Sequence, residues 1–145
     1  MIPLFDDNGN LPAGIHDATI EEVGDRFAIN STRTKLFEAS LEVLTLLRNS
    51  NCPEVYPNGS FSTTKENPGD YDLCYEPTGL TPTQELLEFF LGSDARKARF
   101  LGDIFPRMPH PPYHYDYVQD WQTDTRQDDV VKGIIRINLR PEADD

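Results

Sequence analysis

The stretch from Val55 to Tyr75, V-Y-P-N-G-S-F-S-T-T-K-E-N-P-G-D-Y-D-L-C-Y, constrains the fold more than any other part of the chain. A short apolar run turns sharply at Asn58-Gly59-Ser60, crosses a polar loop, and resumes at Asp70-Tyr71-Asp72-Leu73-Cys74-Tyr75 with strict two-residue alternation. Alternation of this kind predicts a strand, on which residues two apart share a face about 6.5–7 Å from one another. Asp70 and Asp72 then point one way, and Tyr71, Leu73 and Tyr75 the other. Two carboxylates held side by side repel and raise each other's pKa, so the pattern calls for a cation between them. Mg²⁺ suits the position, because it prefers oxygen ligands and is held by one or two carboxylates plus substrate phosphates. Taken singly, Asp-x-Asp also decorates solvated strand faces, and Asn-Gly and Pro-Gly mark turns of every kind.

The upstream turn supplies a second half. Gly59 lacks a Cβ, so the backbone can bend and a phosphate can approach, while the amide and hydroxyl of Ser60 are donors suited to phosphate oxygens. Strand, Gly-Ser, polar loop and Asp-x-Asp on a second strand together resemble the signature of the DNA polymerase β-like nucleotidyltransferase superfamily in its small bacterial, minimal form. The resemblance implies that Gly59 and Ser60 cradle a nucleoside triphosphate, and that Asp70 and Asp72 bind two Mg²⁺ ions. It also implies a third carboxylate on a later strand. Pro57 departs from the pattern, since a missing ladder donor suits an edge or a strand end. The opening Ile2-Pro3, Phe5, Asn8-Gly9, Leu11-Pro12-Ala13-Gly14-Ile15-His16, Thr19-x-x-Glu22 and the closing Lys132-Gly133-Ile134-Ile135-Arg136-Ile137-Asn138-Leu139 further resemble a family of short bacterial proteins of unassigned activity with the same core.

The 145 residues suit one domain, with residues 1–30 as an N-terminal extension carrying a short helix and 140–145 as a frayed tail. A net charge of −12, from 25 acids against 13 bases, disfavours RNA or DNA as substrate unless bases gather locally, and leaves a basic protein partner open. No secretory leader or membrane-spanning run is evident, so a cytoplasmic protein is expected, with Cys52 and Cys74 as reduced thiols. Cys74 shares the Asp72 face and reads as a small buried hydrophobe.

Along the chain, the first fifteen residues read as a turn between short apolar segments, and His16 as a local hydrogen-bonding residue. Thr19-x-x-Glu22 has the form of a capping box for a two-turn helix ending near Ala28. Ser31 is placed to cap the longest helix, from about Thr32 to Arg48, with Leu36, Phe37, Leu41, Leu44 and Leu47 along one stripe. Lys65, in the polar loop, could reach a phosphate or pair with Glu66. Thr81 or Thr83 begins another helix, which Gly92 stops. Arg96-Lys97-Ala98-Arg99 is a dense basic cluster, either a solvated helix face or a rim for an anion. Phe100 to Phe105 reads as a strand carrying Asp103, and Pro106 to Pro112 as a proline-rich loop. Tyr113 to Gln119 alternates as a strand with His114 and Asp116 on its polar phase. Asp116 is the first choice for the third carboxylate and metal ligand, and Asp103 the second. Val130 to Leu139 forms the last strand, in a hairpin with the previous one.

The resulting order predicts an α+β domain: a nucleotidyltransferase-like mixed sheet with helices mainly on one face. Two functional expectations follow from the resemblance. One is Mg²⁺-dependent transfer of a nucleoside monophosphate from a triphosphate to a protein or RNA hydroxyl, within a toxin–antitoxin or phage-defence pair. The other is a catalytically silent binding or regulatory subunit of the same fold.

Overall fold

The computed structural model describes residues 2–7, 9–58, 71–90, 101–108, 116–122 and 131–140. Helix α1 (Ile20–Phe27) starts where the sequence signals it. The Thr19 hydroxyl accepts from the Glu22 N–H at 3.0 Å, and the Glu22 carboxylate accepts from the Thr19 N–H at 3.0 Å. Two N–H groups that helix geometry leaves without carbonyls are thereby satisfied. Helix α2 (Ser31–Asn49) is capped by Asn30 rather than Ser31, the Asn30 side-chain oxygen accepting from the Arg33 N–H at 2.9 Å. Its buried stripe is Leu36, Val43, Leu44 and Leu47. Helix α3 (Gln84–Phe89) is capped by Thr83 and buries Leu86 and Phe89.

Among the described residues, five strands form one mixed sheet. They are β1 (Gly14–Ala18), β2 (Glu54–Asn58), β3 (Tyr71–Tyr75), β4 (Gly102–Pro106) and β5 (Gly133–Asn138), in the spatial order β1-β5-β2-β3-β4. β2 and β3 are antiparallel, β3 and β4 parallel, and β5 lies parallel to β1 and antiparallel to β2. The parallel step from β3 to β4 needs a crossover, and α3 provides it. The architecture is thus α+β, as the sequence suggests.

Two expectations are corrected. The first fifteen residues read as a turn between short apolar segments, yet Gly14 and Ile15 open β1, and Gly14 to Ala18 pairs residue for residue with Gly133 to Ile137. β5 lies between β1 and β2, which occupy both of its edges, in place of the expected hairpin with the preceding segment. The described part of that segment is a short helix, α4 (Tyr117–Asp120), because the Asp116 side chain accepts from the Val118 N–H at 3.1 Å and caps it. Pro57 lies on the central strand but next to its end, the strand-end alternative of the sequence reading. Glu76 donates its N–H to the Glu54 carbonyl, so by alternation Pro57 turns its nitrogen toward β5, whose pairing with β2 covers only Glu54 and Val55. The missing donor therefore falls just beyond the last ladder bond.

The two sheet faces are unlike. On the first, Val55, Tyr71, Leu73, Ile135 and Ile137 pack under α1, α2 and α3. Val43 and Leu47 on α2 are fully buried there, each contributing about 1.5–3 kcal/mol. On the second face, Tyr56, Cys74 and Ile134 pack with Val118 of α4, flanked by Tyr117 and Trp121.

Candidate functional site

The second face carries the polar chemistry, arranged by register in rows across the strands. Asn58 of β2 lies opposite Asp72 of β3, and Asp72 is in turn aligned with Asp103 of β4. Residues in register share a face, and neighbouring strands lie about 4.8 Å apart, so the row Asn58, Asp72, Asp103 presents an amide and two carboxylates side by side. Asn58 is buried, at 4% exposure, and both aspartates are half-buried. The next row is Tyr56, Cys74 and Phe105. There Phe105 stacks on Tyr117 with ring centroids 4.6 Å apart and meets Trp121 edge-on at 6.2 Å, so α4 covers this row.

Local sequence explains how Asp103 reaches Asp72. Gly102 sits in register with Tyr71, where an added Cβ would lie 2.6 Å from both the Tyr71 carbonyl oxygen and its ring. Only glycine lets β4 close against β3 at that point. Leu101 just before it holds φ at 61°, a left-handed turn into the strand.

Beyond the covered row lies an ionic network. Arg107 grips Asp116 with two hydrogen bonds, Nε to Oδ1 at 3.1 Å and Nη2 to Oδ2 at 3.3 Å. Its Nη1 donates to the Tyr56 hydroxyl at 3.3 Å and lies 3.7 Å from Glu76. Burial alone would lower the Arg107 pKa, but Asp116 outweighs it and holds the guanidinium charged. The Tyr56 hydroxyl donates to the Glu54 carboxylate, and burial followed by Glu54 pushes its pKa up to about 12. On β5, Arg136 holds Asp17 of β1 through Nε at 2.6 Å and Nη2 at 3.0 Å, which lowers the Asp17 pKa. Both cysteines are free and buried, and burial raises their thiols to about 11 for Cys52 and about 12 for Cys74. They fit the small-hydrophobe reading. His16 is likewise local, its Nε2 donating to the Pro12 carbonyl at 2.7 Å.

Of the residues singled out from sequence, Asp72, Asp103 and Asp116 are described. Gly59, Ser60, Lys65 and Asp70 lie outside the described residues, as do Arg96 to Arg99 and His114. Among the described residues no three His, Cys, Asp or Glu side chains come together to hold a metal, so Asp72, Asp103 and Asp116 do not form a triad. Asp116 stands on no strand beside β3 and is engaged by Arg107. The carboxylate beside Asp72 belongs to Asp103. Two adjacent oxygen donors suit Mg²⁺, which keeps waters and takes its remaining ligands from substrate. An apolar cavity of about 20 Å³ between α2 and the sheet, lined by Leu36, Phe37, Tyr71, Leu73 and Ile137, opens on the first face, away from these groups.

Sequence reasoning missed Arg107 and the Asp17–Arg136 pair. Arg107 was hidden in a proline-rich run, and pairing of Asp17 with Arg136 requires the β1·β5 register.

Fold and site together define a mixed-sheet α+β protein with a pair of adjacent carboxylates on one sheet face. The chain belongs to DUF6932, a family of unknown function whose model matches residues 3–138. No curated protein and no solved structure matches the chain. No helix among the described residues is long and apolar enough to cross a membrane.

Proposed function

We propose that the protein is a Mg²⁺-dependent nucleotidyltransferase of the minimal DNA polymerase β-like kind, with Asp72 and Asp103 as metal-holding carboxylates. The observation that carries this reading is the register of Asp72 with Asp103 on parallel strands, at the end of the sheet from which β2 leads into Gly59-Ser60. In this reading Asp70 is a further metal ligand, and Gly59, Ser60 and Lys65 receive the triphosphate. Asp103 takes the role first given to Asp116.

In such a reaction an acceptor hydroxyl oxygen bonds to the α-phosphorus, the bond from that phosphorus to its bridging oxygen breaks, pyrophosphate leaves, and the hydroxyl proton passes to water. Bound Mg²⁺ would neutralise charge on the entering and leaving oxygens. The chain's own part is to hold two carboxylates close enough to share a cation and to keep bulk water from the sheet beside them, which the aromatic cover of α4 favours. The acceptor is a protein or RNA hydroxyl, the acidity of the chain favouring protein. A toxin–antitoxin or phage-defence partner belongs to the same proposal.

The test is to incubate the protein with each α-labelled triphosphate, Mg²⁺ or Mn²⁺, and cell extract. Label should move to a macromolecule with wild type and with neither Asp72→Asn nor Asp103→Asn. Saturable nucleotide binding without transfer, under all four nucleotides and both metals, would replace this reading with the silent binding or regulatory subunit.

A further inference from the structure

We infer that α4 is a hinged cover on the second sheet face, latched by the Arg107–Asp116 pair, and that release of the latch bares Cys74 and Tyr56 without unfolding the sheet. The device goes beyond the metal chemistry proposed above and stands whether or not Asp72 and Asp103 hold an ion.

One side chain both starts α4 and ties it down. Asp116 Oδ1 accepts from the Val118 N–H at 3.1 Å, which caps the helix, and from Arg107 Nε at 3.1 Å, while Oδ2 accepts from Arg107 Nη2 at 3.3 Å. Arg107 in turn is anchored to the sheet. Its N–H donates to the Tyr75 carbonyl at 2.9 Å, and its Nη1 donates to the Tyr56 hydroxyl. Past the other end of α4, the Gln122 carbonyl accepts from the Lys132 N–H at 2.8 Å, one residue before β5. The two attachments differ in kind. The Gln122 bond is backbone to backbone beside a strand, which suits a hinge. The Arg107 bonds join two side chains that part by rotation about their own χ angles, which suits a latch.

What α4 adds between them is slight. A helix of four residues has no stability of its own in water, because nucleation costs more than so few bonds return. Of its described side chains Val118 is buried, and the half-buried Tyr117 packs with neighbouring Trp121 against Phe105. The first face is held by far more, including Val23 and Phe27 of α1 and Leu36, Val43, Leu44 and Leu47 of α2. Segments with few buried apolar contacts open at free energies well below that of global unfolding. Beneath the cover Cys74 is fully buried and Tyr56 nearly so. Cys52 belongs instead to the core under the helices. Each thiol therefore reports a different opening. On the nucleotidyl-transfer reading, lifting α4 also opens the row that holds Phe105, two residues along β4 from Asp103, to an approaching acceptor.

Labelling of the whole chain with a maleimide, read separately at Cys52 and Cys74 by peptide mass spectrometry, tests the device in urea below the unfolding transition. In wild type both thiols should label slowly. Cys74 should label about tenfold faster than Cys52 or more, at a rate that changes little with urea, while the Cys52 rate rises steeply. Asp116→Asn keeps a capping side chain but removes the charge that Arg107 grips, and should speed Cys74 labelling about 5- to 30-fold. Val43→Ala weakens the first-face core, which α4 does not touch when it lifts. It should speed Cys52 labelling about tenfold and leave the Cys74 rate within about twofold of wild type. Equal rates and equal urea dependence at the two thiols of wild type would overturn the inference, since Cys74 would then be bared only by global unfolding. So would a Val43→Ala protein in which both thiols speed up alike, or a folded Asp116→Asn protein whose Cys74 labels no faster than wild type.

Discussion

Gly133→Ala should be among the most damaging single-methyl additions in this protein, and its cost follows from the packing of β1 against β5. An added Cβ at Gly133 would lie 1.9 Å from the Pro12 carbonyl oxygen and 2.8 Å from His16 Nε2, where real Cβ contacts do not fall below 3.0 Å. The obstacle is backbone, so no rotamer change relieves it. The segment from Leu11 to His16 must move by roughly 1 Å, as overpacked sites do at a cost of about 1–3 kcal/mol. The move pulls on two bonds, Gly133 N–H to the Leu11 carbonyl at 2.8 Å and His16 Nε2–H to the Pro12 carbonyl at 2.7 Å. Each is worth about 0.5–1.5 kcal/mol. The total is about 2–6 kcal/mol. At roughly 3 °C per kcal/mol for a chain this long, the melting temperature should fall by about 6–18 °C. Circular dichroism melts of Gly133→Ala, His16→Ala and the double variant would test it. The His16 change should cost less in the Gly133→Ala background than alone, because its bond is already strained. A Gly133→Ala protein melting within a degree of wild type would refute the β1·β5 register.

Further outcomes are open to measurement. Asp116→Ala removes both the α4 cap and the acceptor for Arg107; it should cost about 1–3 kcal/mol in urea unfolding and red-shift the emission of Trp121, the single tryptophan. Unchanged fluorescence would mean that Asp116 does not hold α4. Tyr71→Phe should leave stability equal or raise it by about 1 kcal/mol, since the Tyr71 hydroxyl is buried without a hydrogen-bond partner among the described residues. A loss of more than that would reveal a partner. Arg136 depresses the Asp17 pKa below 3.8, so the stability it adds is present above that pH and is lost as pH falls through the folded value. The pair is largely exposed, so Asp17→Asn should cost under about 1 kcal/mol at pH 7 and progressively less as the pH falls through the folded value. A cost that persists in acid would point to packing rather than charge. Native Cys52 and Cys74 should both resist thiol reagents at pH 8, given thiols raised to about 11 and about 12.

Local signals in the sequence translated well into structure. The Thr19 to Glu22 capping box, the leucine stripe of α2, the Thr83 start of α3 and the alternation of β3 all depend on residues within one or two turns of each other. What failed depended on distant partners. β1 is a short edge strand with only Ala18 fully buried, so its alternation carries little hydrophobic contrast. Tyr113 to Gln119 alternates as a strand would, yet Asp116 at a helix start, engaged by Arg107, turns the described part of it into α4. The same long-range dependence governs the site. The sequence offers Asp-x-Asp as a pair, of which Asp72 is described, and ranks Asp103 second because nothing near it announces that β4 aligns with β3 at Asp72. Gly102 was the available clue, a glycine at a strand start that marks close backbone approach.

The most direct test of the carboxylate pair is Mn²⁺ binding by wild type, Asp72→Asn, Asp103→Asn and Asp116→Asn, each checked for folding by circular dichroism. Wild type and Asp116→Asn should bind the ion with similar affinity, while Asp72→Asn and Asp103→Asn lose at least tenfold. Retention of full affinity by Asp103→Asn, or its loss in Asp116→Asn, would contradict the assignment of the site to the Asp72 and Asp103 pair.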